Sequence, residues 1–292
     1  MMAQTIDSVR VNTRQQKLHV RSFKPQQNPK ALLVWHHGYG EHVLRYNHFL
    51  TDLANHGIAV FAQEAHGHGT SEPTDERNRC LVWDFNHLVQ DAAEFADEVL
   101  KSQPTMPAFI GGQSLGGLIS SHVALRNQSI WSGLVLCSAA VDVEWNLTLR
   151  VQAPLGGLLG LLVPRARLVP AVLPEDMSPD PKVVEDYLND KLNFPGPVRA
   201  RTANEIMKGF RALGRRHSEL MLPILAVHGT KDHCTSLPAV KRLLQSSNSK
   251  DKTLNEVPGG YHELIMGPEK EQVIAMVRDW ILARSGTNTA KM

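Results

Sequence analysis

The stretch Phe109-Ile110-Gly111-Gly112-Gln113-Ser114-Leu115-Gly116-Gly117 is a short apolar run that ends in Gly-x-Ser-x-Gly and leads into a helical pattern. The chemistry such a string can do is nucleophilic, because a serine on a sharp strand-to-helix turn presents its hydroxyl above a sheet edge. Gly112 and Gly116, two before and two after the serine, remove side chains that would collide in so tight a bend. The N–H of Leu115, first in the following helix, faces the place where negative charge would develop on an attacked carbonyl. Chance alone yields about 0.1 such five-residue strings in a chain of this length. The strand before and the helix after therefore carry much of the weight.

A serine hydroxyl needs a base, and the base needs an acid to orient it. Fourteen histidines leave the base ambiguous by count. His262 is the best placed, because it follows the final predicted strand and the turn Pro258-Gly259-Gly260-Tyr261; unperturbed, its imidazole would titrate near about 6.5. Asp232, in His228-Gly229-Thr230-Lys231-Asp232, follows the strand over 224–227 and is the candidate acid, with Asp142, after the preceding strand, as the alternative. A second oxyanion donor is expected from the loop His37-Gly38-Tyr39-Gly40-Glu41-His42, and we place it at the Tyr39 N–H. His66-Gly67-His68 has the spacing of half a metal site, but Thr70 and Ser71 stand where an Asp-His continuation would be needed. A turn is the expectation there, with no metal and no cofactor.

The elements that must position these residues follow from period and punctuation. Val9 to Val11 and Leu18 to Phe23 alternate around a polar turn, which predicts an antiparallel hairpin at a sheet edge. Continuous apolar runs at 31–35, 58–62, 108–110, 134–137 and 224–227, with a shorter one at 254–257, predict strands buried on both faces. Helical patterns lie between them, the clearest over 84–100 and another opening at Pro268. This alternation predicts an α/β fold with a mostly parallel, doubly wound sheet. Residues 139–220 break it. They contain no convincing core strand but an apolar Gly/Leu/Pro stretch and helix-like segments at 182–188 and 203–213, and predict an inserted helical cap on a core made of 1–138 and 221–292. Leu155, Leu158, Leu159, Leu161, Leu162 and Val163 give that cap more apolar surface than a solvent-facing loop should show, suited to an acyl chain or a lipid surface.

Composition bounds the partners. The 292 residues carry 31 basic and 29 acidic side chains without a long basic run, so no nucleic-acid track is expected. Three scattered cysteines, Cys80, Cys137 and Cys234, show no C-x-x-C spacing and read as reduced thiols of a cytoplasmic protein. The longest uncharged apolar run, 153–164, is too short and too rich in glycine and proline to span a bilayer. Contact with a membrane or lipid droplet is expected to be peripheral and through the cap. Oligomeric state is left open.

Taken together, His37-Gly38-Tyr39-Gly40-Glu41-His42 with Arg45-Tyr46, the turn His66-Gly67-His68-Gly69-Thr70-Ser71, the elbow at Ser114, Asp186-Tyr187-Leu188-Asn189-Asp190, His228 to Asp232, and Tyr261-His262 resemble the monoacylglycerol lipase branch of the α/β-hydrolase fold. The resemblance runs from about Val9 to Arg284. It implies Ser114 as nucleophile, His262 as base, Asp232 as its orienter, and Tyr39 and Leu115 as oxyanion donors. It also implies that Glu41 and Arg45 border a polar pocket for a glycerol head group, which Tyr187 reaches from the cap, with Leu158 and Leu162 on the lipid side. Two positions depart from the pattern: Tyr39 is bulkier than the usual small residue, and Ile265 stands where some relatives carry a second histidine. The implied reaction is two-step acyl transfer from a monoacylglycerol without a cofactor. A lysophospholipase, a general carboxylesterase, or a receptor with vestigial hydrolysis are the alternatives.

Overall fold

A computed structural model describes residues 2–143, 156–170 and 172–286. Eight strands form one sheet: β1 (Gln4–Val11), β2 (Lys17–Lys24), β3 (Ala31–His36), β4 (Ile58–Gln63), β5 (Ala108–Gln113), β6 (Gly133–Cys137), β9 (Ile224–Gly229) and β10 (Lys252–Val257). Their order is β1-β2-β4-β3-β5-β6-β9-β10. The first two strands pair antiparallel, β2 joins β4 antiparallel, and every pairing from β4 to β10 is parallel. The edge hairpin is longer than its alternation predicts. Most of β1 is solvent-exposed, so no apolar pattern marks where it begins.

The continuous apolar runs are buried on both faces because helices cover both sides of the sheet. Successive residues of a strand point to opposite faces, and the core divides accordingly. On one face Leu32, Val34 and Ile110 pack with α2 (Phe85–Ser102), α3 (Leu115–Ala124) and α6 (Leu237–Ser246). On the other, Leu33, Trp35 and Phe109 pack with α1 (Asn47–Asn55) and α7 (Lys270–Ser285). There the Trp35 ring meets Phe49 edge to face at 4.9 Å between centroids. Helix α2 starts where Asp84 accepts the Asn86 N–H at 2.9 Å, a cap worth about 1 kcal/mol.

Between β6 and β9 no described residue joins the large sheet. That stretch holds helical residues 156–162, a small antiparallel pair β7 (Arg167–Val169) and β8 (Val198–Arg199), α4 (Pro181–Asn189) and α5 (Ala200–Gly214). The sequence Ser178-Pro179-Asp180-Pro181 starts α4, since Asp180 caps it by accepting the Lys182 N–H and Pro181 needs no N–H partner at the first position. Residues 144–155 and 171 of the expected cap, Leu155 among them, lie outside the described residues. No helix among the described residues is long and apolar enough to cross a membrane.

Candidate active site

Strand β5 runs directly into the turn at Ser114, whose backbone is left-handed at φ 51° and ψ −120°. For a residue with a side chain this costs on the order of 1–3 kcal/mol. Four main-chain bonds hold it: the Ser114 N–H donates to Cys137 O at 3.1 Å, and Ser114 O accepts from the N–H groups of Gly117 and Ala140 at 3.0 Å and of Leu118 at 3.4 Å. The flanking glycines are required by a crossing of chains. A Cβ on Gly112 would stand 2.6 Å from His36 O, and one on Gly116 would collide with the same carbonyl. The elbow is therefore seated on the end of β3, which brings the 37–42 loop beside it; a Cβ on Gly38 would lie 3.4 Å from Ser114 Cβ.

Within that loop His37 acts as a brace. Its Nε2 accepts the Ala65 N–H at 3.0 Å, so the proton sits on Nδ1, which donates to Gly38 O at 2.7 Å. Burial keeps its pKa below the ordinary histidine value, which suits a ring that must stay neutral to do both. Neither the Tyr39 nor the Leu115 main-chain N–H meets an acceptor among the described residues. The bulk of Tyr39 is taken up away from the loop backbone: its ring packs edge-on against His68 and its hydroxyl donates to Cys80 O at 3.2 Å.

His262 and Asp232 lie side by side, on the loops after β10 and β9. His262 Nδ1 lies 2.9 Å from Asp232 Oδ2. Asp232 Oδ1 accepts the N–H groups of Cys234 at 2.9 Å and Thr235 at 2.8 Å, and Oδ2 also takes the Thr235 hydroxyl at 2.7 Å. Burial alone would raise this carboxyl, but the charge and hydrogen bond of His262, with help from His228 and Thr235, hold it down at about 2. An ionised Asp232 can only accept, so in the neutral imidazole the proton sits on Nδ1 and Nε2 keeps its lone pair. Asp142, the alternative acid, lies five residues beyond the end of β6; the carboxylate at His262 is that of Asp232.

One expectation needs correcting. His262 does not titrate near the unperturbed value: burial pulls it down, yet the carboxylates of Asp232, Glu263 and Glu41 outweigh that and raise it to about 9. The structure also adds to the marked residues one that no motif marks, Glu263. Glu263, 2% exposed, approaches Arg45 at 2.9 Å and accepts from Gln113 Nε2 at 3.4 Å. Arg45 in turn faces Glu41 at 3.4 Å, and Glu41 accepts from the Tyr46 hydroxyl and from the Gly38 N–H at 3.3 Å. Burial and the neighbouring Glu263 push Glu41 up to about 7. Tyr187 reaches this cluster from α4, its ring centroid 5.0 Å from the Arg45 guanidinium. The only sequence signal for Glu263 was an acid placed directly after His262 and before the apolar run Leu264-Ile265-Met266.

Other contacts tie the 172–200 stretch to the same sheet edge. Phe194 N–H donates to Gly40 O at 2.7 Å, His42 Nε2 lies 2.8 Å from Asp190, and Glu263 N–H donates to Met177 O at 2.8 Å. Leu158 and Leu162 are elsewhere in their environment, 53% and 67% exposed. His66-Gly67-His68 forms a turn, with Gly67 and Gly69 both at positive φ. Among the described residues, the group with metal-ligand proximity is Asp232, Cys234 and His262. It is the hydrogen-bonded Asp232–His262 pair with a thiol beside it, and burial with the Asp232 charge pushes that thiol's pKa up, keeping it protonated.

Comparison with known proteins shows the family of the chain. Residues 27–269 match the serine aminopeptidase S33 family. The chain is 33% identical over 281 residues to a monoglyceride lipase of Mus musculus, covering 94% of this chain and 89% of that one. It is 29% identical over 261 residues to a monoacylglycerol lipase of Mycolicibacterium smegmatis, covering 89% and 91%. A soluble variant of monoglyceride lipase from Saccharomyces cerevisiae, solved with a substrate analog, shares the fold at a TM-score of 0.84 and 18% identity over 98% of this chain and 97% of that one. The chain thus belongs to the serine aminopeptidase S33 family and is a monoacylglycerol lipase-like serine hydrolase of the α/β-hydrolase fold.

Proposed function

We propose that the protein hydrolyses monoacylglycerols to fatty acid and glycerol, with Ser114 as nucleophile, His262 as general base and Asp232 as its orienter. The observation that carries the substrate class is the 33% identity, over nearly all of both chains, to an enzyme named for monoglycerides. His262 Nε2 takes the proton of the Ser114 hydroxyl as Oγ bonds to the ester carbonyl carbon. The carbonyl oxygen gains the negative charge and is met by the Tyr39 and Leu115 N–H groups, each such donor worth roughly 3–4 kcal/mol in the transition state. The tetrahedral intermediate collapses, the C–O bond to glycerol breaks, and His262 returns the proton to the leaving oxygen. Water, deprotonated by the same histidine, then attacks the acyl carbon, the bond to Ser114 Oγ breaks, and His262 returns the proton to Oγ as the fatty acid leaves.

The glycerol end is assigned to the neighbourhood of Glu41, Arg45 and Tyr187, where polar groups converge beside the elbow. Residues 139–220 serve as the cap. Its exposed Leu158, Leu161, Leu162 and Leu168, near Arg165 and Arg201 stacked on the half-exposed Trp83, suit peripheral contact with a lipid surface. Labelling with a fluorophosphonate tests the nucleophile, since wild-type protein should label and a folded Ser114→Ala variant should not. A panel of monoacylglycerols, lysophospholipids and short soluble esters tests the substrate; faster turnover of a lysophospholipid than of any monoacylglycerol would reassign it.

A further inference from the structure

Glu263 sits where four parts of the site meet. It directly follows His262, and its main chain is pinned on both sides: its N–H donates to Met177 O at 2.8 Å, and its carbonyl accepts from Met266 at 3.2 Å and Gly267 at 2.6 Å. Its carboxylate takes the Arg45 guanidinium on one oxygen and the side-chain amide of Gln113 on the other. Gln113 is the last residue of β5, one before Ser114. Arg45 leads on to Glu41, which holds the Gly38 N–H of the 37–42 loop.

From this connectivity we infer that Glu263 is a positioning residue, whose carboxylate locks the His262 turn to the Ser114 elbow and, through Arg45 and Glu41, to the oxyanion loop. The inference rests on the reading of Ser114 and His262 as nucleophile and base. The physical reason is that nucleophile, base and oxyanion donors come from the ends of three different strands, so their mutual geometry is set by side-chain bridges rather than by one element. A displacement of about 1 Å between reacting groups can cost about a hundredfold in rate. Two buried carboxylates around one guanidinium also leave a net negative charge beside the imidazole once Glu41 ionises, above about pH 7. The groups facing His262 are Asp232 and Cys234 from the loop after β9, His228 from β9 itself, Glu41 from the 37–42 loop and Glu263 from its own turn. Those facing Glu263 are Arg45, Glu41, Tyr46, Tyr187 and Cys234.

Glu263→Gln keeps the shape and removes the charge. On a short soluble ester we expect kcat to fall about tenfold or more with little change in KM. The acid limb of kcat/KM should also move down, by roughly 0.5 to 1 pH unit, because a carboxylate that favours the imidazolium is gone. A residue needed only for stability would lower the melting temperature and leave the limb in place. A folded Glu263→Gln protein with wild-type kcat and an unmoved limb overturns the inference. Should that variant not fold, Gln113→Met removes the bridge to the elbow while keeping the Glu263 charge. It should lower kcat several-fold with the limb unmoved, and an unchanged kcat there would likewise overturn it. Fluorophosphonate labelling of the wild type separates the two failures: without labelling at Ser114 the functional reading falls, whereas labelling with an indifferent Glu263 sinks this inference alone.

Discussion

At the residue scale the site is an argument about who holds which proton. Asp232 takes four hydrogen bonds, two from main-chain N–H groups, one from Thr235 and one from His262. An asparagine there would present an amide to Nδ1 and favour the wrong tautomer, so Asp232→Asn should lower kcat by roughly 10⁴, as it does in serine proteases with this arrangement. Asp142→Asn should stay within a few-fold, and the reverse ranking would move the acid to the loop after β6. The carboxylates around His262 set the pH dependence. A histidine raised to about 9 is mostly protonated at neutral pH, and under the proposed mechanism only the neutral ring can accept the serine proton. Activity should therefore be lost as pH falls through the raised value and gained as it rises. We expect kcat/KM to climb between pH 6 and 9 with a midpoint above the unperturbed 6.5 or so; a plateau already complete at pH 6.5 would sink this.

At the scale of elements, the elbow depends on close approach more than on propensity. A methyl on Gly116 has nowhere to go, since it meets the carbonyl of His36 on a neighbouring buried strand. Gly116→Ala should destabilise by about 1–3 kcal/mol or more and cost most of the activity, because β3 or the turn must shift. Gly214, at the end of α5, has nothing within 4 Å of a built Cβ. Gly214→Ala should leave activity intact and be neutral or stabilising by up to about 1 kcal/mol. Thermal melts of the two variants check this directly, and equal effects would mean that glycine matters here only for flexibility. The helices are less legible from pattern alone. α2 carries a full amphipathic stripe and an Asp cap, whereas α1 and α6 are only nine and ten residues long, too short for period to separate them from loop without their packing partners.

At the scale of the whole molecule, the sheet brings the ends of β3, β5, β9 and β10 to one edge, and the described residues of the 139–220 stretch reach that edge through Met177, Asp190 and Phe194. The exposed leucines of residues 156–162 belong to this stretch but not to its packing. Replacing Leu158 and Leu162 together with Asp should therefore leave the fold and the turnover of a short soluble ester within a few-fold. The kcat/KM for a long-chain monoacylglycerol presented in vesicles should drop tenfold or more. Equal losses on both substrates would assign these leucines to the cap's own stability, and no loss on either would favour an enzyme of small soluble esters.

What the sequence determined by itself was whatever is encoded locally. Gly112-x-Ser114-x-Gly116 between a strand and a helix, the buried runs of β3, β4, β5, β6 and β9, and the strand-end turns carrying Asp232 and His262 all follow from period, glycine placement and chain order. Those signals need only neighbours within a few residues. Tertiary structure decided the rest, because the contacts span large separations. Gln113 and Glu263 are 150 residues apart and Arg45 and Glu263 are 218 apart, so no motif announces their bridges. The same holds for the pKa of His262, since Glu41 joins its charge from a different strand end. Local pattern can nominate a nucleophile, a base and an acid; only the packed sheet determines how much charge each of them feels and which side chains hold them in place.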